Sequence, residues 1–589
     1  MLYPIENRYR TIKKLDGFWH FKIDEKDQGK EKGWSTGITD GILLAVPASW
    51  NDQTQDEFLR TYLGSGWYEK RFWLSPCWKN DEVKSRFEGI NYRAEIWLNG
   101  NYVGKHDGGF TPFEFDISNI VETEAENILI VRVDCKLSEN TVPMGNLPVE
   151  LGIDDDFKNK YPSTSGDFFP YAGINRSVII YNRPRNAIQD ITLNTKVVGE
   201  DNRDGIVSYE IFTSPGISRC EISLIDQKMN KIKEKELICS EGKAKGNLTV
   251  KTPNLWNVGH PYLYRLQIKA LCGNNVVDEY ALQVGIREVK VQDGQLLLNG
   301  KPIFLQGFAR HEDFHIIGRG TNHAVMIKDY ELMKWTGANS FRTSHYPYST
   351  EQMQLADCLG FLVIDEVPAV SLAMRSVTEK TLYSHKRQLK EMIERDKNHP
   401  SVIAWSVANE ADTWREEAKG YFAEIADYIK ELDSSRPNMI VSDSLPDREL
   451  VAQHFDLLGI NCYFGWYQFP GQLKKAEEEL SYYLDSFYEK FQKPIIVAEF
   501  GADSIPGFHS DPAEMFTEEY QAKLIKMYDR IIRSKPYIIG EHIWNLTDFK
   551  TQQLPLRVFY NRKGVFTRDR QPKMAAYLVR ELWKKNKIE

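Results

Sequence analysis

Hydrophobic and polar positions change rhythm twice along this chain. From Trp19 to about Tyr181 the apolar runs are short, as in Trp67 to Trp73, Ala94 to Leu98 and Ile128 to Val133, and turn signals separate them. Asn99-Gly100 is the clearest of those signals. Many short strands closed by such turns predict an all-β sandwich of jelly-roll type over residues 1–183. From about Pro184 to Arg287 come Ile206 to Phe212, Glu221 to Ile225 and Tyr264 to Ala270, with almost no helical period. A second, smaller sandwich over 184–287 is the expectation.

After Arg287, apolar strand-like runs alternate with longer segments of helical period, the signature of an α/β unit. The runs are Ile303 to Phe308, Ser340 to Ser344, Phe361 to Asp365, Val402 to Val407, Met439 to Ser442, Leu457 to Cys462, Pro494 to Glu499 and Tyr537 to Ile543. Eight of them fit a (β/α)8 barrel over 288–589. Phe422, Ile425, Ile429 and Leu432 recur at helical spacing between the runs, as do Leu524, Tyr528 and Ile531, and predict helices packed on that barrel.

A chain of 589 residues has room for several cores, and 42% apolar with 27% charged residues is a globular composition. The N-terminus, Met1 to Trp19, is too charged for a signal peptide, and seven cysteines form no close-spaced pair along the sequence. Both features point to a reducing cytoplasm. A net charge of −8 with mixed signs gives no footprint for nucleic acid, and no long apolar run suggests a membrane span. No cofactor is implied.

In a barrel of this kind the reactive groups sit at the C-terminal ends of the strands. Glu410 ends the run Ile403 to Glu410, and Glu499 ends Pro494 to Glu499, placing two carboxylates across one mouth on the fourth and seventh strands. Glycoside hydrolysis needs such a pair. Asn409-Glu410 after Trp405-Ser406, together with Glu499-Phe500-Gly501-Ala502-Asp503, resembles the acid/base and nucleophile motifs of glycoside hydrolase family 2. Phe341 to Tyr348 and Asp396 to Val402 match that family too, and the similarity spans almost the whole chain. The resemblance implies the order jelly roll, immunoglobulin-like sandwich and TIM barrel. It further implies retention of configuration through a covalent intermediate, with carboxyls roughly 5 Å apart.

Within that family the pattern Arg-Val-x-x-Asn-x-Lys-Gly, carried here by Arg557, Asn561 and Lys563, resembles the β-glucuronidases. A glucuronide carries a carboxylate at C6, and a cleft that desolvates it must supply cationic or amide donors. The resemblance extends to Asp167 for a sugar hydroxyl and His345 for sugar contact. It gives Arg342 and Asn409 the orientation of the carboxylates and the 2-hydroxyl, while Tyr463, Tyr467 and Trp544 supply aromatic faces and hydroxyls. Small-molecule or oligosaccharide β-glucuronides are the implied substrates, and a homotetramer or dimer the implied assembly.

The chain departs from the family pattern at Cys462, Phe464 and Tyr560, and its connection from Pro368 to Leu382 is short, which suggests an open mouth tolerant of larger aglycones. Competing readings are a β-galactosidase, β-mannosidase or β-galacturonidase on the same scaffold, or a carbohydrate-binding protein without catalysis. His311-Glu312-Asp313-Phe314-His315 spells H-E-x-x-H, the zinc-protease signature, but that signature works only on a helix, and here it follows a strand run.

Overall fold

A computed structural model describes residues 1–145, 166–199, 204–553 and 555–585. The first predicted unit therefore includes a stretch, 146–165, that lies outside the described residues. In that unit an antiparallel sheet of four strands faces one of six. Trp19, Phe21, Trp50, Tyr68, Phe87 and Val131 fill the space between them. Strand Ser65–Phe72 pairs with Asn127–Asp134, and Asn99-Gly100 closes the hairpin of Arg93–Leu98 and Asn101–Asp107. Both turn residues have positive φ, 52° and 79°, which Asn and Gly tolerate and a two-residue hairpin turn requires.

The second unit encloses Val207, Tyr209, Ile211, Ile222, Leu224, Leu266 and Ile268 between a three-stranded and a four-stranded sheet. Its strand Asp204–Thr213 alternates half-buried and buried positions along its whole length, the period of two that one core-facing side imposes. The seven cysteines are all unbonded, although folding brings the sulfurs of Cys220 and Cys239 to 3.5 Å.

The third unit closes as an eight-stranded parallel barrel. Its strands are β1 (Leu305–Ala309), β2 (Ser340–Arg342), β3 (Leu362–Glu366), β4 (Val402–Asn409), β5 (Asn438–Ser442), β6 (Leu457–Asn461), β7 (Ile495–Glu499) and β8 (Ile538–Trp544). Every residue of β1 to β8 is buried, because side chains fill the inside and helices cover the outside, so most of the strands read in sequence as largely apolar runs, with polar residues gathered mainly toward their ends. The ring is formed by α1 (His323–Thr336), α2 (Thr350–Leu359), α3 (Glu379–Asp396), α4 (Glu416–Leu432), α5 (Leu473–Phe491), α6 (Glu518–Arg533) and α7 (Met574–Lys585).

One helix of the regular pattern is replaced. Between β5 and β6 the chain makes only the short 3-10 turn Ala452–His454. Glu449, 1% exposed, organises this segment: its carboxylate accepts from the hydroxyls of Thr413 and Ser442 and from the N–H groups of Val451 and Ala452. A buried carboxylate satisfied four ways holds a compact loop in place of a helix.

Candidate active site

Glu499 is the last residue of β7 and lies 3% exposed in the barrel mouth. Arg342, ending β2, donates through Nη2 to Glu499 Oε1 and through Nη1 to Glu366 Oε1 at 2.7 Å. Tyr463 donates its hydroxyl to Glu499 Oε2 at 2.7 Å, and His345 Nε2 stands 3.6 Å from Oε1. One oxygen thus faces a guanidinium and the other a phenol, which orients the carboxylate.

Glu366, ending β3, underpins this arrangement. Burial opposes its ionisation, but Arg342, then His345 and Ser406, outweigh it and hold its carboxyl at about 2. Its contacts are His345 Nδ1 at 2.9 Å and the Ser406 hydroxyl at 2.7 Å. Breaking such a buried pair by removing one partner costs about 3–5 kcal/mol.

Glu410 is the first residue past β4, at a φ of 48°, a left-handed conformation that costs a glutamate on the order of 1–3 kcal/mol. Surrounding contacts enforce it: the Glu410 N–H donates to Val441 O at 2.9 Å, and Asn461 Nδ2 donates to Glu410 Oε1 at 2.7 Å and to Asn409 Oδ1 at 3.0 Å. Asn409 Oδ1 also faces Arg342 Nη1 at 3.4 Å. Burial, then the charges of Glu499 and Asp443, raise the Glu410 carboxyl well above the usual carboxylate range. An acid that keeps its proton is the one able to give it to a leaving oxygen.

A second charged cluster adjoins the first. Lys563 is only 1% exposed, and its Nζ donates to Asp503 Oδ2 at 2.6 Å and to the Tyr467 hydroxyl at 2.9 Å. Arg557 donates from Nε to Asp167 Oδ2 at 3.0 Å and from Nη2 to the same Tyr467 hydroxyl at 2.8 Å. Asn561 Nδ2 donates to Asp167 Oδ2 at 3.0 Å, while its backbone exchanges hydrogen bonds with Phe549 at 3.0 and 3.2 Å, anchoring the loop. Lys563 and Arg557 overcome burial to hold Asp503 below the ordinary carboxylate range, and Asp167 and Tyr467 likewise overcome it to raise Arg557.

Tyr463 connects the two clusters: its ring centroid lies 5.1 Å from that of Tyr467 and 5.6 Å from Lys563 Nζ, while its hydroxyl is on Glu499. Among the described residues, buried Arg557 Nη1 has no hydrogen-bond partner and stands 4.0 Å from Asp503 Oδ2, a donor that an incoming acceptor would satisfy.

The residues singled out in sequence therefore fall into one mouth, with adjustments. The sequence offers Asn561 and Lys563 as amide and cationic donors; in the structure Asn561 donates to Asp167 and Lys563 to Asp503. Trp544 was expected to present a face to the sugar. It is 3% exposed, and one face is taken by His345 at 5.1 Å, so it packs the ring of a neighbour in the site. Phe168, beside Asp167, lies 6.2 Å from His345 and brings the first unit to the barrel mouth.

Sequence reasoning passed over Glu366, Asn461 and Asp503 as functional positions. The signal for the first two was present, since each ends a barrel strand as Glu499 does. Asp503 closes the motif that begins at Glu499, but nothing in that motif marks its pairing with Lys563. Its role comes from a loop that folds back 60 residues later.

Residues 311–315 lie in a loop after β1 and in no helix. His311 Nδ1 meets the Tyr346 hydroxyl at 3.0 Å, Glu312 pairs with Arg176 at 3.0 Å, and His315 is exposed, so the two histidines share no helical face. Arg568 and Arg570, further along the chain from Lys563, are buried against Asp313 and Asp329.

Comparison with known proteins agrees with this architecture. Residues 289–588 match the TIM barrel domain of glycosyl hydrolases family 2, residues 12–184 its sugar binding domain, and residues 186–287 the remaining glycosyl hydrolases family 2 model. The chain belongs to glycosyl hydrolase family 2 and is a glycoside hydrolase. A β-glucuronidase of Paenibacillus borealis is 42% identical over 601 residues, covering 99% of this chain and 98% of its own. Among solved structures, a β-glucuronidase of an uncultured Clostridium sp. superposes with a TM-score of 0.92 at 40% identity, covering 99% of this chain and 100% of its own. The β-glucuronidase of Ruminococcus gnavus in complex with D-glucuronic acid superposes with a TM-score of 0.93 at 38% identity, covering 99% of each chain.

Proposed function

We propose that the protein is a retaining, exo-acting β-glucuronidase that releases glucuronic acid from β-D-glucuronides. The observation that carries this reading is the second cluster, where Arg557 and Lys563 meet at the Tyr467 hydroxyl, Asn561 joins Arg557 on Asp167, and Tyr463 links Tyr467 to Glu499. Two cations balance two carboxylates there. A sugar carboxylate entering this cluster exchanges with Asp167 and Asp503 for the same donors and takes up the orphan N–H of Arg557. A neutral hexose brings no such acceptor.

In the first step Glu499 attacks C1, the C1–O bond to the aglycone breaks, and protonated Glu410 gives its proton to the departing oxygen. The glycosyl–Glu499 ester that forms removes the carboxylate charge, and with it a cause of the high proton affinity of Glu410. Glu410, now a base, takes a proton from water as the water oxygen attacks C1, which returns Glu499 as a carboxylate and frees glucuronic acid. Arg342 and Tyr463 orient Glu499 through both steps, Asn461 and Asn409 orient Glu410, and His345 faces the sugar from beside Glu366.

The short connection from residue 368 to 382 supports tolerance of bulky aglycones. The unbonded cysteines support a reducing, cytoplasmic setting, and homo-oligomerisation goes with the family reading. Among the described residues no helix is long and apolar enough to cross a membrane.

The direct test is a panel of aryl β-glycosides differing only in the sugar. Glucuronide turnover should exceed that of glucoside, galactoside, mannoside and galacturonide. Faster turnover of any neutral sugar would defeat the reading.

A further inference from the structure

The leaving-group side of the mouth holds a third carboxylate that the mechanism does not use. Asp443 is the first residue past β5, directly beside Glu410, whose N–H bonds to Val441 O at 2.9 Å. Both neighbours in the chain are tied down. Ser442 Oγ donates to Glu449, the Ser444 N–H bonds Ser442 Oγ at 3.2 Å, Ser444 Oγ and Thr413 Oγ1 lie 2.8 Å apart, and the Tyr483 hydroxyl donates to Ser444 O at 2.7 Å.

Asp443 itself is exposed on this rigid ledge. Among the described residues no cation pairs with it and no other side chain donates to it. The arginines of the same two loops are engaged elsewhere: Arg415 and Arg448 lie over the Trp414 ring at 4.6 and 4.7 Å. Exposed Trp414 and Leu445 flank the ledge with apolar surface.

A pinned, solvent-facing carboxylate without a counter-ion, next to the proton donor, is an acceptor waiting for a donor and a source of repulsion for anions. Its charge acts on Glu410, and desolvation, then Glu499, Asp412 and Glu449, raise the Asp443 carboxyl in turn above its ordinary value.

We propose that Asp443 determines aglycone specificity, accepting a hydrogen bond from a hydroxyl or ammonium group on the leaving group and opposing leaving groups with a negative charge near the glycosidic bond. This rests on the glycosidase mechanism above, which places the aglycone on the Glu410 side. A deacidified ledge should lose both the attraction and the repulsion. One that keeps its charge should keep both.

The experiment compares kcat/KM for three phenyl β-glucuronides, carrying a nitro, a carboxylate or an aminomethyl group on the ring, in the unaltered enzyme, Asp443→Asn and Asp443→Glu. In Asp443→Asn the carboxyphenyl-to-nitrophenyl ratio should rise about three- to tenfold and the aminomethylphenyl-to-nitrophenyl ratio fall by a similar factor. Asp443→Glu should keep both ratios close to the unaltered enzyme. If the ratios are unchanged in an active Asp443→Asn protein, the proposal is overturned while the glucuronidase reading stands. If the unaltered enzyme turns over none of the three, the glucuronidase reading fails and the proposal falls with it.

Discussion

The two charged clusters of the barrel mouth are built on different principles. Arg342, Glu366, Glu410 and Glu499 sit on or directly after the ends of four strands, β2, β3, β4 and β7, where backbone ladders limit their movement to a minimum. Arg557, Asn561 and Lys563 hang on a loop after β8, and their carboxylate partners come from another loop and from the first unit. The strand-end cluster carries more acid than base, and burial, reinforced by that imbalance, raises the Glu410 carboxyl so that it holds its proton. The loop cluster is neutral in sum, so its donors can be handed to a ligand without leaving a large charge exposed. On the proposed function, chemistry is placed on the rigid frame and recognition on the part of the fold most easily varied.

Removing the nucleophile should separate the clusters most sharply. Glu499→Ala is expected to lower kcat by about 10⁴-fold or more on a nitrophenyl glucuronide, with KM little affected, in steady-state assays. A loss below about tenfold would mean that Glu499 is not the attacking group.

Glu410→Ala should cost about 10²- to 10⁴-fold on poor leaving groups and markedly less where the departing oxygen needs no proton. Equal losses on both types would contradict its role. Since its raised carboxyl must be protonated for the first step, kcat/KM in the unaltered enzyme should fall as pH rises through that raised value, with the descending limb above the ordinary carboxylate range. Glu410→Gln should abolish that limb.

Glu366 tests the frame without touching the sugar. Its carboxyl sits at about 2 against an ordinary 4.5, so it contributes stability that is present above pH 4.5 and is lost as pH falls toward 2. The shift corresponds to roughly 3 kcal/mol. Urea unfolding at a series of pH values should show Glu366→Gln less stable at neutral pH and with a flatter decline between those limits. An unaltered slope would show that Arg342 does not depend on this partner.

The strand-end cluster was far more legible in the sequence than the loop cluster, and the contrast above explains why. A strand buried on both sides appears as an apolar run, so its last residue is visible as an interruption, and Glu410 and Glu499 stand out. Glu366 stands at the end of β3 in the same way but follows Asp365, and nothing in one dimension says that Arg342 lies across from it. Loop pairings such as Lys563 with Asp503 leave no periodic trace. Only the resemblance of the Arg557 to Lys563 pattern pointed there, and it did not disclose that protein carboxylates fill the donors. The missing helix between β5 and β6 was hidden for a related reason, since Glu449 organises that segment through contacts rather than through periodicity.

Recognition of the sugar's acidic group by the loop cluster is what separates a glucuronidase from its relatives on the same scaffold. It is tested most directly by the ratio of kcat/KM for a nitrophenyl glucuronide to that for the matching glucoside, in the unaltered enzyme and in Lys563→Ala. Loss of a charge-assisted contact of about 1.5–3 kcal/mol predicts that the ratio falls by roughly ten- to a hundredfold, chiefly through the glucuronide. A ratio that stays the same in a folded Lys563→Ala protein would contradict the account.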